Sequence, residues 1–229
     1  MRWWFRAGSL AFAAVFVGAG VLSGLGSSLA VERRVDYPLT APPQRLELAV
    51  DVGEVEIVTT DGPPSVTSLA RYGFRSPQLS VREVDGVLRV ESHCPAWWGN
   101  ACEVGWRLAL PADVAITATG GVGSFTVRGF TAPVSIDADV GDVTVEGSGA
   151  DVSARLDVGD LSVETANPDA RVSAINRTGA VTVLLPLNAS FHVEADADVG
   201  SAQVEVARAE TATWVIARTN VGDVLVRYR

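Results

Sequence analysis

The stretch Asp139-Val-Gly-Asp-Val-Thr-Val-Glu146, DVGDVTVE, decides the reading of this chain because it recurs. It returns as DVGDLSVE from Asp157, stands earlier as DVGEVEIV from Asp51, and closes the sequence as NVGDVLVR from Asn220. Taking the glycine of each unit, Gly123, Gly141, Gly159, Gly179, Gly200 and Gly222 follow one another at steps of 18, 18, 20, 21 and 22 residues. Two positions beyond them lie Phe125, Val143, Leu161, Val181, Ala202 and Val224; four beyond lie Val127, Val145, Val163, Val183, Val204 and Val226. All of these are apolar, whereas Thr126, Thr144, Ser162, Thr182, Gln203 and Leu225 between them are polar with one exception. Side chains alternate across a strand, so each unit predicts a short strand with one buried face and one wet face.

A second apolar cluster follows in each unit: Val134 with Ile136, Val152 with Ala154, Val172 with Ala174, Phe191 with Val193, and Val215 with Trp214. Units of about 20 residues with apolar positions at matching offsets cannot bury their faces alone and gain by stacking. The expected fold is therefore all-β: a single β-solenoid, a stacked β-coil of about 20 residues per coil, preceded by one N-terminal apolar helix. Gly53 and the six later glycines mark the corners, where a backbone free of Cβ can take positive φ or approach a neighbour closely. The Asp or Asn two before each glycine suits a local turn bond. Val145 is expected to point inward between Val127 and Val163. In the corner row, Arg177 is expected between Asp157 and Asp198, offsetting their repulsion.

Composition places the chain outside the cell or on its membrane. Ala7–Val31 is an uncharged run of 25 residues, which as a helix would be about 37 Å long against a hydrocarbon core of about 30 Å. Residues 1–31 are read as a membrane anchor or a cleaved signal peptide, 32–45 as a Pro-containing linker, and 46–229 as the β-coil domain. The expected location is the cell membrane with the β domain extracytoplasmic, or secretion if the signal is removed. All 18 basic residues are Arg, and the net charge is −9, which excludes a nucleic-acid partner because phosphate binding needs a basic face. The partners expected are the membrane through residues 7–31 and an envelope glycan or protein.

Cys94 and Cys102, the only cysteines, predict one disulfide closing a short loop on an oxidising side; a two-Cys metal site is the alternative reading. The loop interrupts the repeat and carries Trp97 and Trp98, with Trp106 just beyond. These three form the candidate binding surface, against the plainer reading that they cover one end of the stack.

The segment WRLALPADVAITATGGVGSFTVRG, Trp106–Gly129, with Gly141–Val145, Gly159–Val163 and Gly222–Val226, resembles the bacterial "putative adhesin" family of exported β-solenoid domains. The acidic-Gly turn and strand Val84–Ser92 fits the same pattern, and the resemblance extends over residues 46–229. It implies a non-enzymatic, extracytoplasmic cell-envelope interaction or structural module without a cofactor. An envelope-stress regulatory partner is the alternative, followed by an acid-based glycan hydrolase or lyase. The chain carries no recognisable nucleophile, metalloprotease or nucleotide-binding motif. Asp139, Asp142, Asp157 and Asp160 recur with the coil, which marks them as corner residues rather than a catalytic pair, with calcium binding as a middle reading. His192 is read as an outward strand residue without a task, and the acceptor-like triplets at Asn176 and Asn188 as coincidental.

Overall fold

The computed structural model describes residues 30–95, 101–210 and 212–229, and every regular element among them is a strand. In chain order these are β1 (Val31–Pro38), β2 (Arg45–Val52), β3 (Val55–Thr59), β4 (Ser65–Tyr72), β5 (Gln78–Val84), β6 (Val87–His93), β7 (Cys102–Leu110), β8 (Ala115–Val122), β9 (Phe125–Arg128) and β10 (Val134–Val140). They continue as β11 (Val143–Ser148), β12 (Val152–Val158), β13 (Leu161–Thr165), β14 (Val172–Thr178), β15 (Val181–Leu185), β16 (Phe191–Val199), β17 (Ala202–Glu205), β18 (Thr213–Val221) and β19 (Val224–Tyr228).

The expectation of a single β-solenoid preceded by an apolar helix is corrected here. The strands divide between two sheets, one of ten in the order β1-β4-β7-β3-β9-β11-β13-β15-β19-β17 and one of nine in the order β16-β18-β14-β12-β10-β8-β2-β6-β5. Both sheets are mixed, since β1 with β4, β4 with β7, and β5 with β6 pair antiparallel. The cause is local for β5 and β6. Asp85 and Gly86 both take positive φ, 51° and 74°, the two-residue hairpin geometry that Asp-Gly favours and that turns the chain back on itself. The apolar run expected as a helix lies outside the described residues apart from its last two positions, of which Val31 opens β1. The segment read as a linker also carries β1, paired along its length with β4. No helix among the described residues is long and apolar enough to cross a membrane.

In the repeated part, matching offsets become parallel pairing. Val145 stands opposite Val127 on one side and Val163 on the other and is 1% exposed, as its position in the repeat requires. The core lies between the sheets, built from Leu46, Ile116, Val134 and Val152 of one and Ile57, Phe125, Val143 and Leu161 of the other. Burying each such side chain contributes about 1.5–3 kcal/mol.

The corners form a continuous column. Gly141 has φ +133°, and its N–H donates to Val158 O at 2.9 Å while Gly123 N–H donates to Val140 O at 2.8 Å. A Cβ on Gly141 would sit 1.7 Å from Gly123 O. The same contact links Gly53, Gly123, Gly141, Gly159, Gly179, Gly222 and Gly200 in that order. The local turn bond expected from the acid before each glycine is not what fastens the corner. The carboxylate after the glycine does so, across coils: Asp142 accepts from Asp160 N at 3.1 Å, Asp160 from Ala180 N at 2.9 Å, and Asp223 from Ser201 N at 2.9 Å. The Ser201 hydroxyl and N–H together hold the Asp223 carboxyl below the ordinary carboxylate range.

Chain order fails at both ends of the stack. β18 and β19 lie between β14–β15 and β16–β17, while β6 and β7 lie outside β2 and β3. In the first case β18 and β19 bring Val215, Val224 and Val226, all buried, into the place with two neighbours. The outermost strands contribute the buried Phe191, with Val193, Ala195, Ala197 and Val204 partly covered and Ala202 exposed.

The corner row is consequently Asp157, Arg177, Asn220, Asp198, so Arg177 faces one aspartate instead of two. Its Nη1 pairs with Asp157 Oδ2 at 2.9 Å. Arg177→Asp is expected to lower stability by under about 1 kcal/mol at low ionic strength, with the loss disappearing in high salt. Denaturant midpoints at the two salt concentrations measure it, and an unchanged low-salt midpoint would contradict the pairing.

Candidate functional site

The outer face of the nine-stranded sheet carries a trough, set by which side chains the repeat points outward. Thr117 of β8, Ser135 of β10, Ser153 of β12 and Ser173 of β14 stand in one in-register row, continued by Ile216 of β18. These four positions hold small hydroxyl side chains where flanking strands hold larger ones, so the sheet surface dips. The resulting open cavity of about 580 Å³ is bounded by Arg45 at one end and Trp214 with Ile216 at the other, with Pro133, Asp151 and Arg171 along its side.

Trp214 is 46% exposed, and the His192 ring on the neighbouring strand lies against it, centroids 3.8 Å apart at 39°. His192 therefore braces an aromatic ring, where the sequence reading left it without a task. Arg171 is committed to Asp151, through N–H and Nε at 2.8 and 3.0 Å and an ion pair of 2.8 Å. Arg45 makes no side-chain ion pair among the described residues, and the hydroxyls of Thr117, Ser135, Ser153 and Ser173 make no hydrogen bond there. The trough thus offers a row of unengaged hydroxyls, one uncompensated cation and one exposed aromatic face.

The residues singled out by sequence fall elsewhere. Cys94 and Cys102 form a disulfide, Sγ–Sγ 2.05 Å, and Cys94 N–H donates to Asp51 Oδ2 at 3.1 Å beside the His93–Asp51 pair. Trp97 and Trp98 lie outside the described residues. Trp106 is a correction: it is 2% exposed, donates from Nε1 to Ser92 Oγ at 3.1 Å and packs 5.9 Å from the Tyr37 ring, so it belongs to the core. Asn176 is buried too, its amide donating to Gly159 O at 2.7 Å. No group of three or more His, Cys, Asp or Glu among the described residues is placed to hold a metal ion. The sequence reading missed Trp214 by grouping it with Val215, although adjacent strand residues face opposite sides. It missed the serine row because a small outward residue shows as a trough only when its counterparts in three coils are aligned.

Two facing mixed sheets with a glycine corner column define the class of fold. It resembles the crystal structure of a "putative cell adhesion protein" from Clostridium sporogenes, with a TM-score of 0.51 and 15% identity over 87% of this chain and 100% of the other. A "putative adhesin" from Bacteroides fragilis aligns at 10% identity over 87% and 97% of the two chains, TM-score 0.36. A "putative lipid binding protein" from Parabacteroides distasonis aligns at 8% identity over 89% and 98%, TM-score 0.28. At such identities the first likeness shows a shared fold. No family model and no curated protein matches the chain.

Proposed function

We propose that this chain is a non-enzymatic interaction module of the bacterial cell envelope, adhesin-like, extracytoplasmic, attached through residues 7–31, with the trough on the nine-stranded sheet as its contact face. The observation that carries the reading is the trough itself: unengaged hydroxyls and a braced, half-exposed Trp214 are set on rigid strands, so little entropy is lost when a ligand is held. The Cys94–Cys102 disulfide supports an oxidising location. Hydrolysis or elimination by a carboxylate pair draws no support, because Asp142 and Asp160 recur as corner residues, each accepting a backbone N–H of the next coil through Oδ1.

Ser153→Trp would fill the trough floor with an outward side chain that disturbs no core contact. Binding of the full chain to isolated bacterial envelopes is expected to weaken at least about tenfold, equivalent to about 1.4 kcal/mol, with the thermal midpoint unchanged. Undiminished envelope binding by Ser153→Trp would overturn the assignment of the contact face.

A further inference from the structure

Resting on the trough as contact face, we infer that its ligand is an acidic oligosaccharide, held with a carboxylate on Arg45 and a pyranose face on Trp214. The trough lies in mid-sheet, where the backbone of β8, β10, β12 and β14 is paired on both sides. A peptide can therefore not be held by strand addition, which needs a free edge. A sugar suits the trough, because its ring hydroxyls exchange hydrogen bonds with Ser and Thr while its C–H face stacks on an aromatic ring.

The charge of the ligand follows from which cations are free. The chain carries a net charge of −9, which repels anions in general. Within the trough, however, Arg171 is neutralised by Asp151, while Arg45 has no counter-ion among the described residues. A guanidinium presents parallel N–H donors that match a carboxylate in two-point fashion. Its place is also informative. From β2, which carries Arg45, to β18, which carries Trp214, the sheet order counts five strand spacings, a span of about 24 Å at about 4.8 Å each. One monosaccharide cannot meet both ends, whereas an extended chain of several sugars can, with the hydroxyl row between them.

The test uses the full chain and two probes, an oligogalacturonate and a neutral galacto-oligosaccharide of the same length, with Trp fluorescence and calorimetry as readouts. The uronate is expected to bind at least tenfold more tightly than the neutral oligomer. Arg45→Gln should erase that preference and leave neutral binding in place, and Trp214→Ala should weaken both probes at least tenfold. Both side chains are exposed, so thermal midpoints should stay at the parent value. A preference retained in Arg45→Gln, or binding of neither probe by the parent chain, overturns the assignment. If neither probe binds while Ser153→Trp still abolishes envelope binding, the acidic-glycan inference falls and the trough remains the contact face. If Ser153→Trp leaves envelope binding intact, the contact face itself is wrong.

Discussion

Gly141→Ala is expected to cost about 3–5 kcal/mol, enough to remove most of the stability of an ordinary domain. Two effects act together. The backbone at φ +133° is one that L-residues rarely adopt, a strain of about 1–3 kcal/mol. In addition the new Cβ would stand 1.7 Å from Gly123 O, an atom held within the corner column. The clash is with backbone, so no rotamer change relieves it. The coils would have to separate, breaking the bond from Gly123 N–H to Val140 O. Gly147→Asn is the matched control: Gly147 also has positive φ, +64°, but a Cβ there meets nothing within 4 Å, and Asn tolerates that conformation. Denaturant unfolding should show the large loss for Gly141→Ala and under about 1 kcal/mol for Gly147→Asn. Comparable losses would mean that φ alone, and not the column, sets the requirement.

Removal of residues 213–229 is expected to be worse still, a loss of about 5 kcal/mol or more together with loss of protection in residues 191–205. The deletion takes away β18 and β19, which pair with β14 and β16 in one sheet and with β15 and β17 in the other. It removes the buried Val215, Val224 and Val226, each worth about 1.5–3 kcal/mol, and leaves the inward faces of both neighbouring coils uncovered. The alternative is that β16 and β17 slide inward to pair with β14 and β15. That slide would set Ala202 and Val204 against Val181 and Val183, where β19 now sets Val224 and Val226, so one valine contact is replaced by alanine. Limited proteolysis separates the outcomes. Cleavage within 191–212 would show that β16 and β17 depend on β18 and β19, while continued protection of 191–205 would show that they re-pair with β14 and β15.

What could be read from the sequence is what repeats. Val143 and Val145 inward with Thr144 outward follows from alternation, and the pairing of Val145 with Val127 and Val163 follows from glycines at equal offsets. The division into two mixed sheets was less accessible, because it is decided where the repeat lapses. Asp85-Gly86 does announce a hairpin, yet nothing local tells β4 to run antiparallel to both β1 and β7. Trp106 was misread for want of parity: Val104, Trp106, Leu108 and Leu110 alternate on one face, and three aliphatic neighbours on that face mark it as buried. The trough depends on residues 18 to 20 apart in sequence, Ser135, Ser153 and Ser173, each of which alone looks like any solvent-facing strand residue.

The interleaved order of the last four strands bears on how the molecule responds to a pull. A tension applied at Arg229 does not act on an outer layer that can be peeled one bond at a time. It acts on β19, which is flanked by β15 and β17 and followed inward by β18 between β14 and β16, so extraction must rupture hydrogen-bond ladders on two flanks at once. The outermost coil, β16 with β17, is off the line of load and is tethered at both its ends by chain that enters the stack. A load-bearing element drawn from the interior resists unravelling in a way that the outermost coil of a sequentially wound stack could not, and it does so without any extra covalent link.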